Sequence, residues 1–75
     1  MIVRFRYGHP VPVRGKVVSV RRSGQGPFET VVFTIQKGNN RRSNFLLHRV
    51  DAEDRPYMVD AVAAAEAYLK ARAGV

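Results

Sequence analysis

The apolar residues of this chain change their spacing once, near residue 50, and that change constrains the fold more than any other feature. Up to that point they recur at every second position. Val3, Phe5 and Tyr7 alternate with Arg4 and Arg6, and Val31, Phe33 and Ile35 alternate with Thr30, Val32, Thr34 and Gln36. A two-residue period marks strands with one buried face. Past Asp54 the rhythm lengthens: Met58, Val62, Ala65 and Leu69 follow at steps of four, three and four, forming one stripe of a helix. Strands followed by one helix predict an α+β domain. The expected form is a four-stranded antiparallel meander with a single C-terminal helix across one face, ββββα.

Turn-forming residues divide the strands. Gly8-His9-Pro10 ends a first strand, and a valine-rich run from Val11 to Val20 forms the second. Its valines pass from odd positions (11 and 13) to even ones (18 and 20), so a bulge is expected where the phase changes, at Gly15. Ser23-Gly24-Gln25-Gly26-Pro27 reads as a loop, Thr30 to Gln36 as the third strand, and Lys37-Gly38-Asn39-Asn40 as a hairpin turn. Arg42 to Val50 forms the fourth strand. The helix is expected over residues 54–73, with Asp54 as N-cap, Pro56 in its first turn and Gly74 at its end. Asp51, Glu53 and Asp54 then lie at the positive end of the helix dipole, which accounts for all three acids as capping groups.

A single domain of 75 residues is close to the smallest that one core can hold together. Without cysteine it gains nothing from disulfides or thiolate-bound metal, so pairing into a homodimer is the expected source of extra buried area. No apolar run is long enough to predict a membrane span, and no basic-then-apolar leader opens the chain, so a cytoplasmic location is expected.

Charge divides the chain at the same point as the period. Residues 1–50 carry ten Arg/Lys and one acid, Glu29, whereas residues 51–75 carry three basic residues and five acids, for a net of +7 overall. A basic sheet of residues 1–50 joined to an acidic helix points to a polyanionic partner, nucleic acid, DNA or RNA.

Catalysis has little to draw on. His9 and His48 stand apart from any second ligand or base, and no nucleophile–base pair is visible. Gly24-Gln25-Gly26 lacks the strand–loop–helix setting and the Gly-Lys-Ser/Thr ending of a phosphate-cradling loop. A non-enzymatic protein is expected, with no cofactor, no metal and no small-molecule substrate.

Strand parity then allocates the cations. If the apolar side chains turn toward the helix, Arg4, Arg6, Arg42, Asn44 and His48 turn away from it. The expected phosphate contacts are Arg4, Arg6, Arg14, Lys16, Arg21, Arg22, Lys37, Arg41 and Arg42, with Thr34, Gln36 and Asn44 available for base edges. The tripeptide Arg-Arg-Ser occurs twice, at 21–23 and 41–43. Neighbouring strand residues point to opposite faces, so each pair offers one guanidinium to the outer face. The two copies are expected at opposite ends of the third strand, roughly 25–30 Å apart. Phe5, Tyr7, Phe33 and Phe45 fall on the core side, leaving Phe28 as the one free aromatic. That favours tracking the backbone or entering a duplex groove over base stacking. The alternative reading is a dimeric protein-interaction module with incidental charge. It rests on a helix stripe of Tyr57, Ala61, Ala64, Tyr68 and Ala71 and on Val32, Leu46 and Val18 or Val20 of the outer sheet face.

Overall fold

The computed structural model describes residues 1–73. Four strands, β1 (Ile2–Phe5), β2 (Val13–Ser23), β3 (Thr30–Gln36) and β4 (Arg42–Leu46), precede one helix, α1 (Arg55–Ala73). The strands form a single antiparallel sheet in the order β1-β2-β3-β4, and α1 lies on one face of it, chiefly against β2. This is the expected ββββα arrangement. The expected helix end at Gly74 falls outside the described residues.

The core is the one that the two periods predict. Val3, Phe5, Phe33, Ile35 and Phe45 from the strands meet Met58, Val62 and Ala65 from α1, all buried. Phe5 is the hub of the aromatic part. Its ring meets those of Phe33 and Phe45 edge-on at centroid distances of 5.4 and 5.2 Å, and Tyr7 meets Phe45 at 5.0 Å. Such pairs add about 0.5–1.5 kcal/mol each beyond the area they bury. The Tyr7 hydroxyl is not idle. It accepts a hydrogen bond from the Leu46 backbone N–H at 3.1 Å, where β4 leaves the sheet.

The phase change in β2 occurs at Val18, not at Gly15. Val17 lies opposite Ile35 and Ser19 opposite Thr34, so Val18 is the extra residue of a bulge. Gly15 serves another purpose. A Cβ there would stand 2.5 Å from both the Gln36 carbonyl oxygen and Ile35 Cγ2, so a bare backbone is what lets β2 approach β3 so closely. The bulge sends Val17 and Val20 to the same side of the sheet although one is odd and the other even. Both pack toward the core.

β4 is shorter than expected. It ends at Leu46, and Leu47–Arg49 form a single 3₁₀ turn, which takes His48 off the sheet face. Val50 then plugs the core, fully buried. The β3–β4 hairpin turns through a type I turn, Asn40 N–H to Lys37 O at 3.0 Å, and Asn40 takes the left-handed conformation at φ 64°.

Two of the three acids before α1 act differently from the capping expected of them. Asp54 precedes the helix and its carbonyl accepts the first helical bond, from Met58 N–H. Its carboxylate, however, accepts from the Arg6 backbone N–H at 2.8 Å, and Asp51 Oδ1 accepts from the Gly8 N–H at 2.8 Å. Asp51 N–H closes the set by donating to the Arg6 carbonyl at 3.0 Å. The chain leaving β1 is thus fastened to the chain entering α1.

Candidate nucleic-acid interface

The cross-strand register assigns each polar side chain of the sheet to one face. Ile2, Lys16, Gln36 and Arg42 form one row across all four strands, with Arg4 and Arg14 paired on one side of it. Ser19, Thr34 and Asn44 form the next row on the other side, then Arg21, Val32 and Leu46. Their neighbours Val3, Phe5, Phe33, Ile35 and Phe45 are buried beneath α1, so these rows make up the opposite face.

That face carries Arg4, Arg14, Lys16, Arg21 and Arg42 and no carboxylate. The acids lie elsewhere: Glu29 in the loop after β2, the remaining five between Asp51 and Glu66. Among the described residues only Arg22 is ion-paired. Arg4 sits directly opposite Arg14. Side chains so placed are about 5 Å apart at Cβ, and like charges there are destabilising. Folding alone does not call for this pairing.

Arg14 and Lys16 also line a shallow depression of about 390 Å³ together with Lys37, Gln36 and Asn40 of the hairpin end. Gln36 Nε2 donates to Asn40 Oδ1 at 3.2 Å, and Thr34 Oγ1 donates to Asn44 Oδ1 at 2.7 Å. These bonds hold the polar side chains upright between the cations. The Thr34 bond engages only the oxygen of the Asn44 amide, and Arg41 stands at the hairpin end, where its carbonyl accepts from the Lys37 N–H at 2.8 Å.

The doubled tripeptide divides its tasks unequally. Arg21 faces outward opposite Val32, whereas Arg22 turns to the helix side. Arg22 Nε donates to both Glu66 oxygens at 2.9 and 3.0 Å, and Nη1 donates to Glu29 at 3.2 Å. The Glu66 bonds, then the Glu29 bond, raise its pKa above the ordinary guanidinium value. Arg22 therefore fastens β2 to α1 and leaves the set of outward-facing candidates. Arg42 faces outward opposite Gln36. Arg21 and Arg42 are thus separated by four residues of β3, about 14 Å, and by two strands, about 10 Å. The diagonal of roughly 17 Å replaces the larger expected span, because β2 runs on past Arg21 to Ser23, so Arg21 stands opposite Val32 and not at the start of β3.

Arg6 also leaves the sheet face. It follows the last residue of β1 and shares a depression with Arg49, Asp51, Glu53 and Arg55 at the start of α1. Phe5, Tyr7, Phe33 and Phe45 lie on the core side as expected, but Phe28, 84% exposed in the 3₁₀ turn after β2, is not the one free aromatic, because Tyr57 and Tyr68 of α1 are exposed too. The Arg4–Arg14 pairing was not readable in the sequence, because it depends on how far β1 slides along β2. Comparison with protein-family models, with curated proteins and with solved structures gives no match for this chain.

Proposed function

We propose that this protein binds nucleic acid without catalysing a reaction, by laying the helix-free face of its sheet along a phosphate backbone. The observation that carries this reading is the concentration on one face of Arg4, Arg14, Lys16, Arg21 and Arg42, none of them paired with an acid among the described residues. Lys37 and Arg41 extend the set at the β3–β4 hairpin. Cations gathered at a cost in mutual repulsion bind a polyanion by releasing its condensed counterions. The roughly 17 Å diagonal from Arg21 to Arg42 spans about five base-pair steps of a duplex at 3.4 Å each, so the contacts track a run of phosphates. Bases find no stacking platform on this face, which favours a duplex over a single strand. Thr34, Gln36 and Asn44 sit at the centre of the patch, where a groove edge would pass.

A salt series tests it. Binding to duplex DNA, single-stranded DNA and RNA is measured by fluorescence anisotropy from low to moderate salt. Affinity should fall steeply, and Arg41→Ala with Arg42→Ala should flatten the logarithmic slope by up to about two contacts. No binding to any of the three at low salt refutes the proposal.

The alternative reading, a dimeric interaction module, draws on Val32 and Leu46, which are paired across β3 and β4 on the same face. Both are only half-buried, but Arg21 and Asn44 bound the patch they form, so the apolar area is small beside the charge around it. Light scattering decides the dimer independently.

A further inference from the structure

The geometry points to a second binding surface: the free edge of β2, beside the C-terminal half of α1, receives an extended acidic peptide segment as an added strand. β1 pairs with β2 only from Val13 to Lys16, and its last link is the Val17 N–H to the Met1 carbonyl at 3.2 Å. From Val18 to Ser23, β2 has a strand neighbour on the β3 side alone among the described residues. An edge of that length offers backbone N–H and C=O groups to a further strand.

The space next to this edge has the form an added strand requires. On the helix side, Val17, Val18, Ala65, Tyr68 and Leu69 line a cleft of about 300 Å³, bordered also by Met1, Lys16 and Arg72. A second, smaller recess of about 190 Å³ follows along the same edge, lined by Val20, Leu69, Lys70, Ala73 and Glu66, whose carboxylate is held by Arg22. Val18 and Val20 are two residues apart, about 7 Å along the strand, which is the interval between side chains on one face of a strand. A peptide extending the sheet here would thus place alternate apolar side chains in the two recesses.

Charge selects the occupant. Lys16, Lys70 and Arg72 border the two recesses, and the nearby acids, Glu66 and Glu29, are both already bonded to Arg22. Two copies of this chain paired edge to edge would bring their Arg21 side chains, unpaired among the described residues, together, which like-charge repulsion opposes. A segment alternating valine or leucine with aspartate or glutamate meets both the recesses and the rim. Apart from Lys16, which borders both, this surface is separate from the sheet face proposed for nucleic acid.

The test uses the full chain and a short fluorescein-labelled peptide alternating valine or leucine with aspartate or glutamate. Three results are expected. The peptide binds at low salt and perturbs the amide resonances of Val18 to Ser23. Methylating its alternate backbone nitrogens, which removes strand-to-strand hydrogen bonds, weakens binding about tenfold or more. Arg72→Glu, at an exposed site, weakens it several-fold while leaving the salt slope for duplex DNA unchanged. Equal binding of the methylated peptide, or of one with the same composition but no alternation, means attraction by charge alone and overturns the proposal. So does absence of binding at low salt, or a dimer of the protein alone that the peptide disperses, since the edge then belongs to a second copy.

Discussion

Arg4 and Arg14 stand directly opposite one another across β1 and β2, on the face of the sheet turned away from the helix. A strand pair left to stability alone would place a threonine, an aromatic or an opposite charge at one of these positions. Arg4→Thr should therefore raise the unfolding free energy by about 0.2–1 kcal/mol at low ionic strength. The gain should shrink as salt screens the repulsion. Urea denaturation at two salt concentrations checks both points. In the same variant the salt slope for nucleic acid should fall by about one contact, a gain in stability bought by a loss of binding. A variant no more stable than the parent would show that the guanidinium groups already splay apart.

Neighbours in one tripeptide should give opposite results. Arg21→Ala should lower the salt slope of DNA binding by about one contact and leave stability nearly unchanged. Arg22→Ala should leave the slope alone and destabilise the fold, because it frees Glu66 and Glu29. The guanidinium side chain is 38% exposed, so the loss should not exceed about 1 kcal/mol. If both variants reduce the slope equally, Arg22 exchanges its carboxylate partners for phosphate and the division of roles is wrong.

Gly15 and Gly38 should respond very differently to the same added methyl. At Gly15 the new Cβ would collide with the Gln36 carbonyl and the Ile35 side chain, both 2.5 Å away, and the strands would have to part. A loss of about 1–3 kcal/mol is expected. At Gly38 nothing lies within 4 Å, so Gly38→Ala should be neutral or slightly stabilising. Thermal melts of the two variants side by side make the comparison.

Tyr7→Phe removes only the oxygen that accepts the Leu46 N–H. The ring contacts with Phe5 and Phe45 remain, and the lost bond should cost about 0.5–1.5 kcal/mol. Hydrogen exchange should report the same event locally, as faster exchange at the Leu46 amide than anywhere else in β4. Uniform acceleration across the sheet would mean that the hydroxyl acts on the whole fold and not on the end of one strand.

The sidedness of the molecule was legible because burial imposes a period, and Phe33, Phe45, Met58 and Val62 each obey it. The register was not, because alternation says which way a side chain points and nothing about which residue stands across from it. Arg4 opposite Arg14 and Arg21 opposite Val32 are facts of register. The bulge misled for a related reason. Glycine is where a strand bends most easily, so Gly15 drew the expectation, yet the adjacent pair Val17-Val18 marked where the two valine phases actually meet. Arg22 was likewise assigned to the polyanion because its partner Glu66 lies 44 residues away, with only the folded chain to bring them together. The acids before the helix resembled capping groups for the same reason. The backbone of Arg6 and Gly8 that they hold gives no sign in the sequence that it lacks partners.

That hold has a consequence for how the chain reaches its folded state. Asp54 and Asp51 grip Arg6 and Gly8 across separations of 48 and 43 residues. During synthesis the first strand emerges before the groups that secure its end, so these bonds cannot form until Asp51 and Asp54 have followed it. Closing so long a loop is slow compared with forming a helix or a hairpin. The β2–β3–β4 meander is free to assemble first, and docking of the N-terminal strand and the C-terminal helix then becomes a single, late, joint event.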